Sequence, residues 1–151
     1  MSLNSIPTDR ILSKLDEYFS KNDYTSAERH LKYWLDEARS LNDERGIVQI
    51  CNELIGLSRK MGNRDDAFKF SELALSTLHS LDMEASKTAA TTYINIATAS
   101  KAFNSAEASL PYFKRAMEIY EKDLAPTDSR LGGLYNNMAL SLCDLDRFTE
   151  A

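Results

Sequence analysis

The chain has 151 residues, 43% of them hydrophobic and 27% charged, with a net charge of −5. That length and balance suit one domain with a real core and argue against a disordered or membrane-spanning class. Only five glycines and three prolines occur. An all-β fold draws on both for its turns, so it is disfavoured as well.

In chain order, apolar periodicity predicts helices over roughly 8–21, 24–41, 44–61, 64–81, 84–103, 106–124 and 128–144, with an eighth beginning at 147. Residues 1–7 are read as a tail, in which Met1-Ser2-Leu3 fits a cloning remnant. No apolar run reaches the ~20 residues of a membrane helix, and the start lacks the basic-then-apolar order of a secretory signal. Tyr93, Ile96, Ala97 and Ser100 form one helical stripe; Tyr135, Met138, Ala139 and Leu142 form another. Leu110, Phe113, Ala116, Met117, Tyr120 and Leu124 line a further helix, which Pro126 brings to a stop. Asp43, Asp82 and Thr127 or Asp128 are the expected helix caps.

A repeat organises these helices. A small residue recurs at Ala27, Ala67, Ser109 and Ala151, at spacings of 40, 42 and 42 residues. Five residues before each stands Asn22, Gly62, Asn104 or Asp146, types that tolerate the left-handed backbone at a helix end. Each such pair marks a tight turn between antiparallel helices, and the small side chain lets their backbones approach. Stacked helix hairpins follow.

At this point the residues resemble tetratricopeptide repeats, in a lengthened form similar to that of kinesin light chains. The stretch Tyr112-Phe113-Lys114-Arg115-Ala116-Met117-Glu118-Ile119-Tyr120-Glu121-Lys122 is similar to a second repeat helix. Leu134-Tyr135-Asn136-Asn137-Met138-Ala139-Leu140, with Asp146-Arg147-Phe148-Thr149-Glu150-Ala151, resembles the next first helix and its turn. The resemblance implies an all-α, right-handed α-solenoid of about three and a half repeats and seven main helices, over 8–41, 44–81, 84–125 and a partial 128–151. Unit one departs from the pattern at Lys14, Leu15 and Trp34, as suits a terminal repeat whose outer face meets water. Unit two has Ser58 where an aromatic is usual. The fourth unit is read as truncated within its second helix.

In such repeats the first helix of each pair lines a concave face. The resemblance assigns that face to Asp9, Leu12, Asp16 and Phe19 in unit one and to Asn52, Gly56, Arg59 and Lys60 in unit two. Unit three adds Thr91, Ile94, Asn95, Thr98 and Lys101; unit four adds Gly133, Asn136, Asn137, Leu140 and Cys143. Carboxamides at Asn52, Asn95, Asn136 and Asn137 offer donors and acceptors to both halves of a ligand peptide bond. Arg59, Lys60 and Lys101 point to an acidic or C-terminal carboxylate-bearing peptide. The lysine and asparagine set that clamps a chaperone's terminal carboxylate is not reproduced, since Leu12 and Asp16 stand there.

No sign of chemistry accompanies the repeat. His30 and His79 lie on different units without ligand-spaced companions, so neither a metal site nor a histidine base is expected. Cys51 and Cys143 read as two buried thiols in a reducing cytoplasm. The acidic balance argues against nucleic acid. The expectation is a non-enzymatic, cofactor-free scaffold that holds an extended partner segment in a groove. The rival expectation is the sensor region of a larger bacterial-type signalling protein with its output beyond residue 151. Self-association through the uncovered side of the fourth unit is a third.

Overall fold

The computed structural model describes residues 5–103 and 106–144, and for 141–144 the backbone alone. Among them lie seven α-helices and no strand: α1 (Thr8–Ser20), α2 (Tyr24–Ser40), α3 (Glu44–Met61), α4 (Arg64–Ser80), α5 (Lys87–Ala102), α6 (Ala106–Asp123) and α7 (Ser129–Asp144). These follow the expected spans closely. The turn residues Asn104 and Asp146, the eighth helix from 147 and the small residue Ala151 lie outside the described residues.

The first four links between helices share one feature. Asn22 and Gly62 take left-handed backbones, with φ of 54° and 71°, as their residue types predict. Asn42 and Asp82 do so as well, each with φ of 53°. The left-handed residue therefore recurs every 20 positions, at the links between hairpins as well as within them. After it comes a cap. Asp23 accepts from the Ser26 N–H at 3.1 Å, Asp43 from the Gly46 N–H at 3.1 Å and Asn63 from the Asp66 N–H at 3.1 Å.

Asp82 is the exception to the expected caps. It supplies the left-handed turn, and Ser86 caps α5 instead, accepting from the Ala89 N–H at 3.1 Å. Helix α5 consequently starts at Lys87, three residues later than the pattern predicts. Residues 83–85 turn back on α4, with the Met83 N–H donating to the Leu78 carbonyl at 3.0 Å. Asp128 behaves as expected before α7, accepting from the Arg130 N–H at 2.9 Å.

The chain packs as two compact units, divided between Thr77 and Leu78 near the end of α4. In the first, Ile11 and Leu15 of α1, Leu31 of α2 and Ile50, Leu54, Ile55 and Leu57 of α3 are fully buried. Each such side chain contributes about 2 kcal/mol through removal from water. In the second unit Tyr93 and Phe113 are the largest fully buried side chains. The expected stripe of Tyr93, Ile96, Ala97 and Ser100 is buried throughout. Ala27, Ala67 and Ser109 are each 0% exposed, which accounts for the recurring small residue. A larger side chain at these positions would force helices apart.

Buried hydroxyls are satisfied locally. Ser71 donates to the Ala67 carbonyl at 2.7 Å, Thr77 to Leu73 at 2.7 Å and Thr92 to Thr88 at 3.1 Å. Cys51 is likewise a core residue: burial pushes its thiol up to about 12, against a smaller opposing pull from Arg39. Cys143 lies where only backbone is described.

Candidate functional site

The helices expected to carry a binding face are α1 and α3 in the first unit and α5 and α7 in the second. Helices α5 and α7 both pack on α6 and touch each other, so their outer residues are neighbours. Asn95, Thr98 and Lys101 on α5 are half-buried, as is Asn137 on α7, while Asn136 is exposed. Thr91 at the start of this face is tied down, its hydroxyl 3.5 Å from that of Tyr120 on α6. The carboxamides thus stand on adjacent helices at positions that reach the surface. Asn95 also interacts with a neighbour within the protein, as does Asn52 of the first unit.

Glycines 132 and 133 at the start of α7 border this face. Among the described residues a Cβ at either would meet nothing within 4 Å. Close packing against another helix therefore does not account for these two glycines among the described residues. Leu140, also expected on this face, is 46% exposed.

In the first unit Asn52 and Arg59 are half-buried and Lys60 is exposed on α3. The Lys60 ammonium sits 4.9 Å above the Phe19 ring of α1. Glu53, which patterning did not single out, belongs to the same neighbourhood. Burial pushes its carboxyl up, Asp16 pushes it further and Lys60 pulls it back. Asp16 and Glu53 therefore offset the positive charge expected from Lys60, and the face is of mixed sign. Only its neighbours in space reveal Glu53, because along the sequence it reads as one more helix carboxylate.

Among the described residues no group of three or more histidine, cysteine, aspartate or glutamate side chains is placed to hold a metal. His79 is exposed and bonds Glu84 at 3.0 Å. His30 is half-buried, with Nε2 3.0 Å from the Ile11 carbonyl of α1. Among the described residues no helix is long and apolar enough to cross a membrane.

Comparison with known proteins fixes the kind of fold. Residues 89–122, the whole of the α5–α6 hairpin but its ends, match the family described as tetratricopeptide repeat. The crystal structure of BtubC (BKLC) from P. vanneervenii superposes with a TM-score of 0.82 at 26% identity, over 93% of this chain. Residues 89–122 thus carry a tetratricopeptide repeat, and the chain has the all-α fold of a tetratricopeptide-like helical repeat protein. The tetratricopeptide match is to the kinesin-light-chain-like form of the repeat. The chain spans 57% of the BtubC chain, so it corresponds to only part of that protein. No curated protein sequence matches it.

Proposed function

We propose that this tetratricopeptide chain is a binding module: it holds an extended segment of a partner protein against its first helices and does no chemistry of its own. Repeats of this family in general mediate protein–protein interaction. The supporting observation is the arrangement in the second unit. Helices α5 and α7 touch, and Asn95, Thr98, Asn136 and Asn137 stand on them at positions that are not buried. A carboxamide both donates and accepts, so such a set can bond a peptide backbone without selecting its side chains. Affinity then comes from the main chain and selectivity from flanking groups such as Lys101.

In the first unit, Asn52, Arg59 and Lys60 on α3 offer a second surface of this kind. The preference for an acidic partner has less support there, because Asp16 and Glu53 stand beside Lys60. The cytoplasm remains the proposed setting, a reading supported by the buried free thiol of Cys51.

The test is affinity capture from the source organism's lysate with the wild-type chain and with Asn95→Ala combined with Asn136→Ala. The captured partner is expected to fall at least tenfold in affinity for the double variant, with helicity by circular dichroism unchanged. Undiminished capture by a folded double variant would mean that the asparagines do not hold the partner.

A further inference from the structure

On α3 the positive charge is offset by neighbouring carboxylates, whereas on the α1–α2 hairpin it gathers around open clefts. Two clefts lie there with His30 as their common wall. One, of about 260 Å³, is lined by Tyr18, Ser26, Arg29, His30 and Tyr33. The other, of about 210 Å³, is lined by Arg10, Ile11, Lys14, His30 and Trp34. Among the described residues no carboxylate lines either cleft.

The cations rest on rings. The Arg10 guanidinium lies 5.8 Å from the Trp34 ring and the Lys14 ammonium 5.3 Å from the Tyr18 ring. The rings brace one another edge-on, Tyr18 against His30 at 5.6 Å and Tyr33 against Trp34 at 5.1 Å. Among the described residues neither Arg10 nor Arg29 forms a salt bridge, and Lys14 has only a 3.9 Å contact with Glu17. Tyr33 is 57% exposed. Aromatic and arginine side chains are those on which interface energy concentrates.

We infer that this hairpin face is a second docking surface, separate from the asparagine-bearing helices, and that its occupant is an acidic peptide segment of a partner protein. Charge selects the occupant. A chain with a net charge of −5 repels anions at long range, yet here it gathers three cations and an imidazole around open clefts. A carboxylate against Arg29 completes a charge-assisted hydrogen bond in one cleft, and a second against Arg10 and Lys14 does so in the other. Apolar side chains between them cover the Tyr33 and Trp34 rings. Nucleic acid is a poorer occupant, since the remainder of an acidic chain would face its phosphates.

Trp34 is the single tryptophan of the sequence, so it reports on its own cleft. The experiment titrates an octapeptide of alternating Glu and Leu into the chain at moderate salt, with Trp34 emission excited at 295 nm. A saturable change is expected, weakened at least tenfold by Arg10→Glu with Arg29→Glu and unaltered by Asn95→Ala with Asn136→Ala. The same peptide with Lys for Glu should give no saturation. Circular dichroism confirms folding, and both arginines are exposed, so their reversal leaves the core intact. Four results would overturn the proposal. They are no saturable change at millimolar peptide, binding indifferent to the arginine reversal, tighter binding of a single-stranded RNA or of phosphatidylserine vesicles, and a Trp34 change with protein concentration alone.

Discussion

At the scale of single residues, glycine shows how surroundings decide the sign of a substitution. Gly46 lies in the first turn of α3, where alanine would ordinarily stabilise by about 1 kcal/mol. A Cβ there, however, would run into the Asp43 carboxylate and come within 3.0 Å of Ile6 Cδ1. That carboxylate accepts from both the Gly46 N–H and the Ile6 N–H, at 3.1 and 2.9 Å. Gly46→Ala is therefore expected to destabilise by about 1–2 kcal/mol, similar to losing the cap in Asp43→Ala. Gly132→Ala should act oppositely and stabilise by about 0.5–1 kcal/mol, because its Cβ enters open space. Urea unfolding of the three variants checks both signs. If Gly46→Ala raised stability, the Asp43 contact would not be the constraint described.

At the scale of elements, the helix ends separate what sequence reveals from what it conceals. Helix existence, order and most boundaries were legible, since apolar periodicity and left-handed residue types are local signals. The turn at Asp82 was not. An aspartate before an apolar stripe reads equally well as a cap or as a left-handed turn, and only the return of residues 83–85 on α4 selects the second. The proposed binding face was half legible: Asn95, Asn136 and Asn137 could be placed on their helices by register, but the Asp16–Glu53–Lys60 neighbourhood and the α1–α2 clefts arise from residues distant in sequence. Trp34 gave the one local clue, as a bulky departure from the repeat pattern.

Asp128 supplies a prediction at this scale. Its carboxylate accepts from Arg130 Nη2 at 2.8 Å and Nε at 3.0 Å as well as from the backbone N–H, and these bonds, the side-chain ones first, hold it down to about 2. A carboxyl lowered in the folded state stabilises the fold above its ordinary value near 4, and that contribution drains away as pH falls towards 2. Carboxyl NMR titration should therefore show a midpoint near 2 for Asp128. In Arg130→Ala it should move most of the way back towards the ordinary aspartate value. A midpoint unmoved in the variant would assign the shift to the cap alone.

At the scale of the whole molecule, apolar exposure bears on assembly. Tyr135 and Leu140 on α7 are each 46% exposed, although the Tyr135 hydroxyl donates to Glu121 at 3.0 Å. Of the expected stripe, Met138 and Ala139 are half-buried and the side chain of Leu142 is outside the described residues. Concentration-dependent self-association is the expected outcome in light scattering, reduced by Tyr135→Glu. A strict monomer up to millimolar concentration would show that this side of α7 does not pair. Two proposed docking surfaces of different character, one of carboxamides and one of cations on rings, would let the chain join two segments at once. Two such contacts strengthen each other only where one partner can span both.

The left-handed residue that returns every 20 positions, at 22, 42, 62 and 82, has a consequence for how such a chain changes length. The joints at Asn22 and Gly62 turn alike, so excising or duplicating the segment between them rejoins one joint to its equivalent. Recombination can then alter the number of hairpins without inventing a new junction, and a gene for this protein can grow by copying.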